Sequence, residues 1–237
     1  NLISYDPTYS YEIAVIIRDG IRRMYHQGES VFYYLTLQNE DYAMPVMPEG
    51  VKDGIIKGLY RFKKAETKPA SKGLRAHLFG SGAIMNHVLK AQAILASKYG
   101  VAADVWSVTS YTELRRNGQD VDRWNLLHPG EPRQQAYVTE QLAKDEGVVV
   151  AASDYVKAMP DGIRQWVPLP MWSLGTDGFG RSEVRSALRN WFEVDERYVV
   201  LATLTALHDA GKVKTEVLSQ AVKDLGLDPE KPNPRLT

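Results

Sequence analysis

Cysteine is absent from all 237 residues. That excludes disulfide frameworks, thiol nucleophiles and cysteine zinc sites, and it fits a reducing cytoplasm. No apolar run approaches the ~20 residues that cross a bilayer, and these residues carry no signal-peptide pattern. An excess of either charge is missing too. Lys plus Arg and Asp plus Glu number 29 each, so no global field draws nucleic acid or an acidic membrane. Histidine is scarce, and His26, His77, His87, His128 and His208 never pair at the i, i+4 spacing of a metal site. His77 reads as a strand residue and His128, before Pro129, as a turn residue. There is no G-x-S-x-G elbow, no Lys-Ser/Thr pair of the phosphate-loop kind, no evident acid/base couple, no internal repeat and no low-complexity segment. What remains is ordinary for a globular chain, 44% hydrophobic and 24% charged, with room for a core that needs no staples.

The organising stretch runs from Arg75 to Ser110. Ala76, Leu78 and Phe79 form an apolar run that stops at Gly80-Ser81-Gly82. Ile84, Val88, Ala91 and Leu95 follow at helical spacing, and Gly100 sits where a left-handed cap ends a helix. Val105, Trp106 and Val108 form the next strand. Strand, helix and strand in this order make a parallel crossover unit. Further strands are expected over Gly147 to Ala152, a continuous apolar run of a doubly covered sheet, and over Met171 to Leu174. Leu59 to Lys64 reads as an edge strand and Lys68 to Gly73 as a polar turn.

Helices are expected over Tyr9 to Tyr25, with Ile13, Ile16, Ile17, Ile21 and Met24 on one buried face. Two short ones follow, Thr112 to Arg116 and Asp120 to Leu127, with another over Tyr137 to Lys144. Ser153 or Asp154 is expected to cap a helix reaching towards Trp166. Ser182 is expected to cap one with Val184, Leu188 and Trp191 on a face. Asp195 and Thr215 are expected to cap the last two. Val31 to Leu37 reads as a buried strand, so the first forty residues read as a helix and a strand with no strand before them. Pro45, Pro48, Gly50 and Gly54 mark the domain boundary. The opening at Asn1-Leu2-Ile3-Ser4, without methionine, is expected of a processed product or a fragment. Alternating strands and helices give an α/β fold with a mostly parallel sheet flanked by helices.

Two glycine turns precede helices. Gly80-x-Gly82 lacks the third glycine of a dinucleotide fingerprint, since Met85 stands there, and no acid ends the following strand. It reads as a tight turn for helix packing. Gly175 to Ser182 leads to a helix N-terminus, a place that can hold an anion, but a structural turn is the plainer reading.

The stretches ISYDPTYSYEIAVIIRDGIRRMY, FYYLTLQNEDYAMPVMPEG, DVWSVTSYTELRRNGQDVDRWNLLHP, LGTDGFGRSEVRSALRNWFEVD and NPRLT resemble, in order and over the whole length, the C-terminal part of homodimeric pyruvate dehydrogenases. That family is related to transketolase and depends on thiamine diphosphate and magnesium. The resemblance implies that residues 1–45 are the last helix and strand of the pyrimidine-binding domain. It makes 46–237 a transketolase C-terminal-like domain. It implies a parent that decarboxylates pyruvate and acetylates a lipoyl domain, in the cytoplasm. Expected partners are the remainder of its own enzyme, a homodimer mate and the lipoyl-bearing acetyltransferase.

The family's diphosphate motif, pyrimidine-contacting glutamate and active-site histidines are not among these residues. No catalytic, cofactor-binding or metal residue is therefore carried over. No cofactor is expected on this segment, and it is expected to be inactive alone. By loose correspondence with transketolase-like folds, Asp6, Gln38 and Asn39 border the substrate mouth. Leu37-Gln38 stands where transketolases place a phosphate-holding arginine, which suits a small unphosphorylated 2-oxo acid. Two other readings remain open: a stand-alone interaction module of a multienzyme complex, and a small-anion-binding α/β domain.

Overall fold

A computed structural model describes residues 1–66, 70 and 73–236. Seven strands are described: β1 Leu2–Tyr5, β2 Phe32–Leu35, β3 Tyr60–Lys63, β4 Arg75–Gly80, β5 Ala102–Ser107, β6 Val148–Ala152 and β7 Met171–Leu174. The last five form one sheet in the order β3-β5-β4-β6-β7. All its pairings are parallel except β3 with β5. The organising stretch thus supplies the middle strand, β4, and one of its neighbours.

Helices cover both faces. On one side α3 (Met85–Tyr99), α8 (Glu196–Asp209) and α9 (Thr215–Asp224) pack on Ala76, Leu78, Val105, Val148 and Val150. On the other, α4 (Tyr111–Leu127) and α5 (Tyr137–Leu142) pack on Phe79, Trp106, Val149 and Ala151. Alternate residues of one strand enter opposite cores, which is why these strands read as unbroken apolar runs. The remaining helices are α1 (Ser10–Ile21), α2 (Lys52–Lys57), α6 (Ala158–Asp161) and α7 (Arg185–Trp191).

The N-terminal residues depart from expectation. A strand does precede the first helix: β1 pairs in parallel with β2, and α1 crosses between them. Four residues are too short for alternation to be read against a background of loop. The first helix ends at Ile21 and passes into a π-helical turn, Arg22–His26. Its buried residues are Glu12, Ile16, Asp19 and Gly20, whereas Ile17 and Ile21 are 49% and 46% exposed. β2 is not a buried strand either. Tyr33 and Leu35 face the small core built with Ile3, Tyr5, Ile16 and Ile55, while Phe32 and Tyr34 face out.

Elsewhere, α4 is one helix rather than two. Asn117-Gly118 continues it because Gly118 lies against Trp166, whose ring would be 2.4 Å from an added Cβ. Neither Ser153 nor Asp154 caps a helix. Ser153 Oγ accepts from the Tyr155 N–H, and only the four-residue α6 and a 3-10 turn, Arg164–Trp166, lie between β6 and β7. Ser182 is no cap, since α7 starts three residues later, after an exposed Val184. Thr215 is already the first helical residue, so its hydroxyl comes one position late. Asp195 does cap α8, accepting from the amides of Arg197 and Tyr198. α2 lies in the stretch expected to be only the domain boundary marked by Pro45, Pro48, Gly50 and Gly54. Of the polar turn over Lys68 to Gly73, only Ala70 and Gly73 are among the described residues.

Candidate functional site

The chain goes from β4 to β5 on one side and later returns to β6 on the other. Such a reversal leaves a crevice at the carboxyl ends of β4 and β6, where open α/β sheets place their ligands. Here the N-terminal unit fills it. Gly82, at φ +51, turns the chain after β4 and lets Gln38 approach; an added Cβ would lie 2.8 Å from Gln38 Nε2. Gln38 Oε1 accepts from the Ala83 N–H at 2.6 Å, and its Nε2 donates to Asp154 Oδ2 at 2.8 Å. The Gly82 N–H donates to the Asp6 carbonyl at 3.3 Å. With these amides taken, the turn is a packing device, and a pyrophosphate finds no free cradle there.

Asp6 and Gln38, expected at the substrate mouth, are therefore brought to one edge. The Tyr155 hydroxyl donates to Asp6 Oδ1 at 2.7 Å and lies 2.9 Å from Thr36 Oγ1. Burial pushes the Asp6 carboxyl above its ordinary value, against the lowering effect of these two hydroxyls. Burial likewise raises the Tyr155 phenol to about 12. Asn39 is placed differently: its carbonyl accepts from Arg185 on α7. Next to it, Glu40 receives a fork from Arg189, with one bond at 3.0 Å, and Arg185 Nε lies 3.8 Å away. Arg189 holds the Glu40 carboxyl below its usual range.

Gln38, Asn39, Glu40, Arg185 and Arg189 line a cleft of about 470 Å³ between the β2 exit, the Gly175–Ser182 turn and α7; Asp6 lies outside it. The turn itself is tied down. The Thr176 N–H donates to the Tyr155 carbonyl at 2.9 Å and its hydroxyl to the Asp154 carbonyl at 2.6 Å. Sequence reading missed Arg185, Arg189 and Glu40. The i, i+4 arginines on α7 were the available signal; nothing in the sequence said what they face.

Glu12 was missed as well. It is fully buried, in the first turn of α1. Its Oε2 accepts from the amides of Thr8 (2.5 Å) and Tyr9 (3.0 Å), half of a capping box. Its Oε1 accepts from Tyr60 (2.6 Å) and Ser107 (2.7 Å) on β3 and β5. One carboxyl thus pins the N-terminal unit to the sheet. Burial pushes it upward, the four donors partly offsetting that.

His77, His87 and His128 are engaged within the fold. His77 accepts from Trp106 Nε1 at Nδ1 (3.1 Å) and therefore donates from Nε2 to the Glu146 carbonyl (3.2 Å). Burial pushes this imidazole down. His128 stacks on Trp124, and His87 meets Glu196 between α3 and α8. Among the described residues no three His, Cys, Asp or Glu side chains are grouped to hold a metal ion. No helix among the described residues is long and apolar enough to cross a membrane.

Residues 58–195 match the family model of the transketolase-like TK C-terminal domain. The chain belongs to that family. The first 45 residues of this transketolase-like chain match a second model, the pyruvate dehydrogenase E1 component middle domain (residues 1–45). Pyruvate dehydrogenase E1 components are similar to it over nearly its whole length. The one from Pseudomonas aeruginosa is 49% identical over 99% of the chain, that from Escherichia coli 49% over 100%, and that from Haemophilus influenzae 50% over 99%. The chain spans 26% of the length of each and corresponds to their C-terminal part. In fold it is similar to a transketolase mutant from Pichia stipitis, with a TM-score of 0.59 at 13% identity over 90% of this chain and 26% of that one. A Leishmania mexicana transketolase gives 0.51 at 14% identity over 88% of this chain and 26% of that one.

Proposed function

We propose that this chain is the C-terminal part of a thiamine-diphosphate-dependent pyruvate dehydrogenase. The parent decarboxylates pyruvate and passes the acetyl group to a lipoyl domain in the cytoplasm. When bound, the cofactor supplies the ylide nucleophile and the electron sink. The present residues give support. Residues 1–45 belong to the pyrimidine-binding domain and 46–237 form the transketolase-like domain. Asp6, Gln38 and Asn39 shape the substrate mouth without touching the cofactor. The observation that carries this reading is the junction itself: an N-terminal β-α-β unit seated through Glu12, Asp6 and Gln38 in the crevice where a self-sufficient α/β domain would hold its own ligand.

One further observation favours a docking role within the parent. β1 and β2 form a parallel sheet of two strands, with Leu2, Phe32 and Tyr34 exposed on one face and Ile17 and Ile21 on the outside of α1. Parallel sheets are normally covered on both faces. The remainder of the middle domain, the dimer mate and the lipoyl-bearing acetyltransferase are the partners that would cover such surface.

Isothermal calorimetry of this chain with thiamine diphosphate and magnesium tests the reading. No saturable heat is expected. Saturable binding would overturn it, because a complete coenzyme pocket would then lie within these residues.

A further inference from the structure

The cleft between the β2 exit and α7 is charged in a way the supporting role does not use. Three guanidiniums line it, from Arg181, Arg185 and Arg189. Among the described residues Glu40 is the only carboxylate within pairing distance of them, and Asp154 acts on Arg189 only through space. Glu40 forks with Arg189 and reaches Arg185 only at 3.8 Å. Arg181 has no carboxylate partner among the described residues; its guanidinium lies 4.6 Å from the centre of the Trp191 ring, which fixes the side chain without neutralising it. Asp154, the other acid on the wall, is engaged by Gln38 instead. Below this charge the wall turns apolar, with Leu188, Phe192 and the buried Val194.

We propose that this cleft binds a small organic anion, its carboxylate or phosphate head held by Arg181 and Arg185 and its apolar body laid on Leu188, Phe192 and Val194. About 470 Å³ suits a ligand of some ten heavy atoms. Guanidiniums present two parallel N–H donors to a carboxylate or phosphate, so two of them on one wall favour a compact head. Asn39 and Glu40, at the exit of β2, form the opposite wall. An anion competing with Glu40 for the arginines would therefore feel the seating of the N-terminal unit. The proposal rests on the cleft alone and stands whether or not the parent is a pyruvate dehydrogenase.

Calorimetry of the chain with phenyl phosphate, benzoate and inorganic phosphate tests it. Phenyl phosphate or benzoate is expected to bind saturably, the tighter of the two identifying the head. Inorganic phosphate should bind more weakly than phenyl phosphate; equal affinity would overturn the role of the apolar wall. Arg181→Ala and Arg185→Ala are each expected to weaken binding about tenfold, with only small shifts in melting temperature, since both side chains are exposed and give up surface contacts, to the Trp191 ring and the Asn39 carbonyl. Glu40→Gln releases the arginines from their competitor and is expected to tighten binding, a direction that loss of fold cannot mimic. Absence of saturable binding by both aromatic anions, or binding indifferent to Arg181 and Arg185, overturns the proposal. Failure here with no thiamine diphosphate binding leaves the parent reading intact, so the two fail separately.

Discussion

Glu12 shows how one residue decides the seating of a whole unit. Its Oε2 faces two backbone donors that have no other role to take, whereas its Oε1 faces two hydroxyls that can turn from donating to accepting. Glu12→Gln can therefore keep every bond, with the amide NH2 towards Tyr60 and Ser107, and is expected to cost about 1 kcal/mol or less. Glu12→Ala strands two amides and two hydroxyls in the interior and is expected to cost about 3 kcal/mol or more. Urea unfolding of the two variants checks this difference. The pH dependence has a definite sign. The folded-state carboxyl titrates above its unfolded value of 4.5, so its contribution is fully present below that value. It is lost as pH rises through the raised native value. Glu12→Gln should abolish that loss, and melting temperatures from about pH 4 to pH 8 should converge towards or cross those of the parent as pH rises. Glu12 was legible as a residue but not as a site. It lies within an apolar helix pattern, and only the tertiary partners on β3 and β5 make it a clamp.

At the scale of elements, apolar runs bounded by turn residues located β4, β5, β6 and β7, and helical spacing located α3. Two short helices, Thr112 to Arg116 and Asp120 to Leu127, are expected where the fold has the single helix α4, and Gly118 within it gives room to the Trp166 ring. Alanine is the better helix former by about 1 kcal/mol. Gly118→Ala is nevertheless expected to destabilise the chain by about 1–3 kcal/mol, because a Cβ cannot share the space of a packed indole. Chemical denaturation followed by tryptophan fluorescence measures it, and a stabilised variant would show that Trp166 moves aside freely. β1 was missed because its four residues gain their strand identity from pairing with β2, thirty residues on.

The molecule as a whole has a closed part and an open part. Its five-stranded sheet is covered on both faces, while the two-stranded sheet and the outer side of α1 leave apolar residues in solvent. Such surface promotes self-association. Ile17→Lys combined with Ile21→Lys is expected to lower binding of a hydrophobic dye and any concentration-dependent association seen by sedimentation. Stability should change by only about 0.5 kcal/mol, as for ordinary surface positions. A large loss of stability would mean that these residues serve the interior rather than an interface. A sequence pattern reports that Ile13, Ile16, Ile17 and Ile21 share a helix. It does not report which of them this chain covers for itself.

Residue order alone determined the α/β class, the middle of the sheet, the main helices and the resemblance to a C-terminal enzyme part, because these depend on local repeats and on long contiguous motifs. The three-dimensional arrangement decided the rest: that Asp6 and Gln38 fill the crevice beside β4 and β6, that Glu12 clamps two units, and that Arg181, Arg185 and Arg189 share one cleft. Those are relations between segments far apart in the chain. Burial, hydrogen-bond satisfaction and unbalanced charge arise only when such segments meet in space.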